Sequence, residues 1–297
     1  MGLTPGTLWS LLGYPGGPPG LESVAIVEAS TEGTMTVEAV RLTISGKDVP
    51  GTLLRPRAAG PRPALLYAHA HGNAPGIGRT ELLSGRPALL SPYGPALVEA
   101  GFAVLCLDMP GFGDRQKDGP ESALAKAALW RGRTLLGQML SELSGGLDFL
   151  CRDPGIDATR LATLGISMGA THAYWLAALD PRVRACAHLC AFAEIAPLID
   201  SGAHDLHGPY MTVPGLLAAG DMGDVAALIA PRPQLVCSGA DDPLTPPEAL
   251  TPALSRLRAA YAACPGALSI LTEPGSGHAE TCAMRDAVLS FLRHALA

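Results

Sequence analysis

Basic residues are few and dispersed in this chain of 297 residues, which has 21 Lys and Arg against 27 Asp and Glu and a formal net charge of −6. A protein that binds nucleic acid needs a basic patch or stripe to neutralise the phosphate backbone. No run of Lys and Arg of that kind occurs in the sequence. The sequence therefore predicts that nucleic acid is not a partner.

Long apolar runs are also absent, although 48% of the residues are hydrophobic. A membrane-spanning helix needs about 18 or more consecutive apolar residues, and no stretch of that length is both uncharged and continuously apolar. The N-terminal segment lacks the basic start and the continuous apolar core of a signal peptide. We therefore expect a globular cytoplasmic protein without a membrane partner, and assembly into a homo-oligomer stays open.

The patterns of disulfide frameworks and zinc sites are missing as well. The seven cysteines are an odd number and show no Cys-x-x-Cys spacing, which fits reduced thiols better than paired or metal-bound ones. The single asparagine, Asn73, precedes Ala74 and forms no N-glycosylation sequon. These absences predict a reducing compartment.

Short β-rich segments and helical segments alternate from about residue 34 to the end of the sequence. This alternation is typical of a mostly parallel sheet covered by helices. We predict an α/β fold with an eight-stranded sheet and helices on both faces, the first two strands forming an antiparallel edge. The predicted strands are residues 34–44, 49–54, 64–68, 102–107, 161–165, 183–189, 234–238 and 267–272. The predicted helices are residues 95–100, 134–152, 168–179, 247–263 and 280–297.

Residues 1–33 and residues 191–230 interrupt the alternation. The first segment is rich in Gly and Pro, and we predict a short helix and an ordered arm that packs outside the sheet. The second segment carries extra chain where a crossover helix is expected, before the strand at 234–238. We interpret it as a short insertion over the face that carries the candidate site, within one domain that spans residues 34–297.

The pentapeptide Gly165-Ile166-Ser167-Met168-Gly169 lies between a predicted strand and a predicted helix. This is the context of a nucleophile elbow, in which the two glycines let strand and helix cross closely and a strained turn exposes the serine hydroxyl. An ordinary Gly-rich turn is the structural alternative. The strand-turn-helix context favours Ser167 as a nucleophile.

A serine hydroxyl needs a base to remove its proton, and the base needs a carboxylate that orients it. His278 follows the last predicted strand in a Gly-rich loop, and Asp242 follows the strand before it. We predict that His278 is the base and Asp242 the orienting acid. A surface histidine is the alternative for His278, and Asp241 is the alternative acid. The chain order Ser, Asp, His is that of α/β-hydrolases rather than of chymotrypsin or subtilisin.

The tetrahedral intermediate of acyl transfer needs hydrogen-bond donors for its oxyanion. The backbone N–H of Met168, directly after the nucleophile, is the first predicted donor. In the loop that contains His71-Gly72-Asn73, Gly72 lets the backbone approach a substrate, so we predict the Asn73 N–H as the second donor. His69 and His71 could instead be a metal-ligand pair, but a zinc site needs a third ligand that the sequence does not suggest. We predict no metal site.

These residues resemble the dienelactone-hydrolase-like and acetyl-xylan-esterase-related branch of the α/β-hydrolase superfamily, over roughly residues 50–295. Asp114 and Ala170 stand where a Glu and a third Gly are common in that branch, and the first thirty residues have no counterpart. The resemblance implies an α/β-hydrolase fold, a serine hydrolase mechanism and ester substrates. The segments that carry it are His71-Gly72, residues 108–115, residues 165–170, residues 230–233, Asp242-Pro243 and Gly277-His278.

The combined pattern predicts a serine esterase without a cofactor that cleaves small, short to medium carboxylic esters through an acyl-enzyme. An acyltransferase, thioesterase or peptidase with the same triad is the alternative, and so is a non-catalytic binding protein of this fold. We also predict that His71, His207 and Tyr210 contact the substrate, since the relatives often have a histidine and aromatic residues in the insertion. A loop packed by its own side chains is the alternative for the two histidines of this segment, His204 and His207.

Overall fold

The computed structural model describes residues 2–58 and 60–297, and its centre is a nine-stranded sheet in the order β1-β2-β3-β5-β4-β6-β7-β8-β9. The first three strands are antiparallel to one another, β3 is antiparallel to β5, and the remaining pairs are parallel. The strands are β1 (Leu21–Glu32), β2 (Met35–Ile44), β3 (Lys47–Pro56), β4 (Arg62–Ala68), β5 (Ala103–Leu107), β6 (Ile156–Ile166), β7 (Val183–Leu189), β8 (Gln234–Gly239) and β9 (Leu268–Glu273).

Helices cover both faces of this sheet, and a separate hydrophobic core fills each interface. Leu66 of β4 faces the core beneath α1, α5, α6, α9 and α10, whereas its neighbours Leu65 and Tyr67 face the core beneath α2, α3 and α11. The helices are α1 (Pro5–Leu11), α2 (Glu81–Ser84), α3 (Tyr93–Glu99), α4 (Glu121–Trp130), α5 (Leu135–Arg152), α6 (Met168–Leu179), α7 (Ile195–Ser201), α8 (Leu216–Ala219), α9 (Met222–Ala227), α10 (Pro247–Ala260) and α11 (Cys282–Ala295). The predicted α/β fold with a mostly parallel sheet is confirmed.

The predicted count of eight strands is wrong, because β1 adds a ninth. The expected arm outside the sheet contains the short helix α1, but its second half pairs with β2 from Leu21 opposite Ile44 to Glu32 opposite Met35. Apart from Leu21, every residue of β1 is exposed. An edge strand with so little burial has no apolar alternation, and that alternation is the signal by which a strand is predicted.

The insertion at 191–230 contains three short helices, α7, α8 and α9. Glu194 precedes α7 and Asp221 precedes α9, and the side chain of each binds the first N–H groups of the other helix. The carboxylate of Asp221, before α9, accepts hydrogen bonds from the backbone N–H groups of Ile195 and Ala196 at 2.8 and 3.0 Å. The carboxylate of Glu194, before α7, accepts one from the N–H of Gly223 at 3.1 Å. Free N–H groups at helix starts are satisfied in this way, so the two ends of the insertion are held together.

Helix α4 was not predicted from the sequence. It follows the loop after β5, and its first residue, Glu121, contacts the insertion at Tyr210. None of the helices in the described part of the chain is long and apolar enough to cross a bilayer.

The crossing of α6 against β4 leaves no space for a side chain at Gly169. A Cβ atom there would lie 1.9 Å from the carbonyl oxygen of Ala68. We expect Gly169→Ala to lower the free energy of unfolding by about 3 kcal/mol, because backbone must move to admit the methyl group. Urea denaturation of the purified variant measures this. Gly266→Ala is the matched control, since a Cβ at Gly266 meets nothing within 4 Å. Equal stability of the two variants would contradict the close crossing.

Candidate active site

Ser167 lies in the turn between β6 and α6 with a strained backbone. Its φ of 58° and ψ of −127° fall outside the regions that residues with a side chain normally adopt. Its N–H donates to the carbonyl of Leu189 at the end of β7, at 2.9 Å. A Cβ at Gly165 would lie 2.2 Å from the carbonyl oxygen of Gly169, so glycine at both positions makes the turn sterically feasible. The strained turn holds the hydroxyl at the carboxyl edge of the sheet.

The imidazole of His278 lies between Ser167 and Asp242. Its Nε2 is 2.9 Å from Oγ of Ser167, and its Nδ1 is 2.8 Å from Oδ2 of Asp242. Because the carboxylate can only accept, Nδ1 carries the proton and Nε2 is free to accept from the hydroxyl. The three side chains that the sequence singled out, 75 and 36 residues apart in the order Ser, Asp, His, meet in one hydrogen-bonded chain.

The two candidate acids differ clearly in their surroundings. Asp242 is 2% exposed, and its Oδ1 accepts from the N–H of Leu244 at 2.9 Å. Asp241 has an exposed side chain, and its backbone N–H donates to the carbonyl of Ser276 at 2.9 Å. The carboxylate of Asp242, not that of Asp241, therefore contacts the imidazole. Asp241 contributes a backbone bond that joins the loop after β8 to the loop after β9.

The two predicted oxyanion donors differ in their availability. The Met168 N–H stands at the start of α6, where a helix has no internal acceptor, and it has no hydrogen-bond partner in the described residues. The Asn73 N–H already donates to Nδ1 of His71 at 3.1 Å. Asn73 has a positive φ of 49°, and its amide contacts a residue of the same loop, two positions earlier. The Asn73 N–H therefore stays a predicted oxyanion donor, and its bond to His71 must break before the amide can bind an oxyanion.

His71, predicted to contact substrate, joins two other parts of the molecule. Its Nδ1 accepts from Asn73, so its Nε2 carries the proton and donates to Oε2 of Glu121 at 2.7 Å. The other oxygen of Glu121 accepts from the backbone N–H of Tyr210 at 3.0 Å. Glu121 is the first residue of α4 and sequence analysis missed it, although Pro120-Glu121 has the features of a helix start. Glu121 thus connects the loop after β4 to the insertion.

His207 and Tyr210, the other predicted contact residues, both belong to the insertion. Nε2 of His207 is 3.0 Å from the carbonyl oxygen of Leu244, next to the acid loop, and burial lowers the pKa of this imidazole. The ring of Tyr210 is 4% exposed, and its hydroxyl is 3.4 Å from Oγ1 of Thr171 on α6. His207 therefore lies beside the Ser-His-Asp cluster, whereas the ring of Tyr210 packs inward against α6.

The loop that leads into His71 is fixed by a buried ion pair that sequence analysis did not identify. The Glu81 carboxylate accepts from the N–H of Ala70 at 3.0 Å, and Nη2 of Arg86 donates to the carbonyl of Ala70 at 2.8 Å. Glu81 and Arg86 also bind each other, and both are buried. A buried network in which every group is hydrogen-bonded is rigid. Removing Glu81 or Arg86 alone is costly, because the other charge is then buried without a partner.

The sequence left His69 and His71 open as a metal-ligand pair, but the two rings form hydrogen bonds with different groups. Nδ1 of His69 is 3.0 Å from the carbonyl of Ala70, its Nε2 accepts from the N–H of Met109 at 3.2 Å, and burial lowers its pKa. Across residues 2–58 and 60–297, no group of three or more His, Cys, Asp or Glu side chains is arranged to hold a metal ion.

Comparison with known proteins identifies relatives by sequence and by structure. No family model matches the chain. The curated protein named "Putative hydrolase YtaP" of Bacillus subtilis is 35% identical over 262 residues, which cover 86% of this chain and 87% of the relative. The crystal structure of acetyl xylan esterase 1 of Thermoanaerobacterium superposes with a TM-score of 0.71 at 18% identity, covering 98% of this chain and 93% of the other. A glucuronoyl esterase of Solibacter usitatus gives a TM-score of 0.72 at 16% identity, covering 99% and 92%.

The two kinds of likeness carry different weight. At 16 to 18% identity the solved structures show a shared fold, whereas 35% identity over most of both chains shows common descent with YtaP. The fold is that of the α/β-hydrolases, and the sheet order, the turn at Ser167 and the loops after β8 and β9 agree with it. The chain therefore has the α/β-hydrolase fold and belongs to the same family as YtaP.

Proposed function

We propose that the protein is a serine carboxylesterase that hydrolyses small esters through an acyl-enzyme. The observation that carries this proposal is the continuous hydrogen-bonded chain from Oγ of Ser167 through His278 to the buried carboxylate of Asp242, with contacts of 2.9 and 2.8 Å. Such a chain turns a weakly acidic hydroxyl into a nucleophile, because a neutral imidazole takes the proton while the hydroxyl attacks.

In the proposed acylation step, Oγ of Ser167 attacks the ester carbonyl while its proton passes to Nε2 of His278. The imidazolium that forms is stabilised by Asp242, which is buried and already accepts from Nδ1. Negative charge develops on the carbonyl oxygen, and we expect the N–H of Met168 at the start of α6 to donate a hydrogen bond to it. His278 then gives its proton to the leaving alcohol, and the acyl group stays on Ser167.

Deacylation repeats the same steps with water. Nε2 of His278 takes a proton from the water molecule that attacks the acyl-enzyme, and returns it to Oγ of Ser167 as the acid product leaves. Each proton removed is returned within one cycle, so the proposed chemistry needs neither a redox cofactor nor a metal ion.

The names of the structural relatives support an ester as the substrate. The two solved structures described above are an acetyl xylan esterase and a glucuronoyl esterase, and both proteins are named for ester substrates. We propose a small-molecule ester as the partner of this chain and no nucleic acid or membrane. We also propose a cytoplasmic location, which is supported by seven cysteines that are all free thiols.

Removal of the nucleophile is the direct test of this function. We expect Ser167→Ala to lower kcat for p-nitrophenyl acetate on the order of 10⁶-fold, because no other group can form the acyl-enzyme. Ser238→Ala is the control: this serine is buried in β8 and bonds Thr272, so activity should stay within a few-fold of the wild type. A fluorophosphonate should label the wild type and Ser238→Ala but not Ser167→Ala. Full turnover by Ser167→Ala would refute the proposal.

The orienting acid is tested by two neighbouring aspartates. We expect Asp242→Asn to lower kcat on the order of 10⁴-fold, because an amide no longer stabilises the imidazolium or selects its tautomer. Asp241→Asn removes an equal charge from an exposed side chain one residue away, and should change kcat by no more than a few-fold. Steady-state kinetics on one ester measures both. Equal losses in the two variants would contradict the assignment of Asp242.

A further inference from the structure

The insertion encloses a cavity of about 530 Å³ that none of the steps above uses. This volume lies within the range of about 300 to 1,000 Å³ that is usual for small-ligand sites. We propose that the cavity binds an uncharged alkyl or aryl group of the ester, on its acyl or its alcohol side. The inference rests on the proposed esterase function and specifies the substrate class of that same site.

The walls of the cavity are mainly apolar side chains from α7, from α8 and from the segment between them. Two of these side chains, Ile199 and Leu217, are 47% and 46% exposed, so the cavity leaves apolar surface in contact with water. Covering such surface with an apolar group is favourable. The larger apolar side chains that line the cavity include Leu198, Ile199, Met211, Val213, Leu216 and Leu217.

The charge of the lining excludes anionic groups. The cavity is lined by no Lys or Arg and by one carboxylate, that of Asp205. An anion would find no cation to pair with and would be repelled by Asp205. Four polar side chains also line the cavity, those of His204, Asp205, His207 and Thr212, but the remaining apolar wall gives the hydroxyl groups of a sugar fewer hydrogen-bond partners than water does. The chemistry of the lining therefore favours neutral hydrocarbon groups over the carbohydrate esters named for the two solved structures.

The cavity adjoins the catalytic cluster through His207. This histidine lines the cavity, and its Nε2 contacts the carbonyl of Leu244, whose own N–H donates to Asp242. Three residues further along, the N–H of Tyr210 donates to the Glu121 carboxylate, and the Tyr210 hydroxyl contacts Oγ1 of Thr171. The segment 207–211 therefore lies between the cluster and the cavity and is held there by these contacts. In the proposed binding mode, an ester attached at Ser167 passes the His207 side chain and reaches the apolar space.

The test is the dependence of kcat/KM on chain length, measured on the full chain. The acyl arm uses p-nitrophenyl acetate, butyrate and hexanoate, and the alcohol arm uses methyl, butyl and hexyl acetate. We expect kcat/KM to rise about fourfold for each methylene added in one arm, which is the gain from burying a CH₂ group. The arm that rises shows which side of the ester enters the cavity. No rise in either arm would overturn the proposal.

Two exposed leucines of the insertion supply the matched variants. Leu217→Asp places a charge in the cavity and should reduce the hexanoate-to-acetate ratio, or its alcohol-arm equivalent, at least tenfold. Leu206→Asp adds the same charge at a leucine that is 59% exposed and does not line the cavity, so the ratio should stay at the wild-type value. Ile199→Trp fills the cavity without a charge and should lower the ratio as well. An unchanged ratio in both Leu217→Asp and Ile199→Trp would overturn the proposal.

A binding measurement separates failure of this inference from failure of the esterase function. Titration calorimetry measures the Kd of 2-octanone, an uncharged ketone that is not hydrolysed. The two proteins compared are Ser167→Ala and the double variant Ser167→Ala with Leu217→Asp. We expect binding to the first protein and at least tenfold weaker binding to the second. No binding, or equal binding, contradicts the cavity assignment even if ester turnover depends on Ser167. Binding with this pattern in a protein whose turnover does not depend on Ser167 supports the cavity and refutes the esterase.

Discussion

The close crossing of β6, α6 and β4 fixes the point at which Ser167 stands. A side chain at Gly165 or Gly169 would overlap backbone, so only glycine allows the helix to start so near the strands. The helix can begin there only if Ser167 adopts a φ of 58°, which directs its hydroxyl away from the sheet. The position of this hydroxyl is set by the packed backbone of the turn. The other parts of the site are therefore arranged around it.

The base and the acid reach that point through contacts between loops. A Cβ at Gly239 would lie 2.3 Å from the carbonyl oxygens of Ser276 and Gly277, so the loops after β8 and β9 touch through their backbones. The bond from the Asp241 N–H to the Ser276 carbonyl holds them in this position. Parallel strands bring their carboxyl ends to one edge of the sheet, and these loop contacts then set the imidazole within bonding distance of Ser167.

The sequence allowed prediction of those parts whose signal is local. Strand β7 is predicted with its observed ends, Val183–Leu189, because five of its seven residues are apolar, and Ser167 is predicted from the glycines that flank it. The exposed edge strand β1 has no such run. Glu121, and the Glu81 and Arg86 pair, act on loops distant in sequence, and the state of the Asn73 amide depends on how its own loop turns back. These features arise only when the chain has folded.

In the proposed function, catalysis and substrate choice are carried by different parts of the molecule. The Ser-His-Asp cluster stands on the ends of sheet strands, which the α/β-hydrolase fold preserves at 16 to 18% identity. The cavity is built by residues 195–218 alone, and this segment is held at its ends by the reciprocal caps of Glu194 and Asp221. This segment is also held in its middle, by the contacts of His207 with Leu244 and of Tyr210 with Glu121, and its lining side chains belong to none of the strands that carry the cluster. A fold shared with the two esterases therefore does not fix the ester, and the apolar lining is the feature from which we infer a different one.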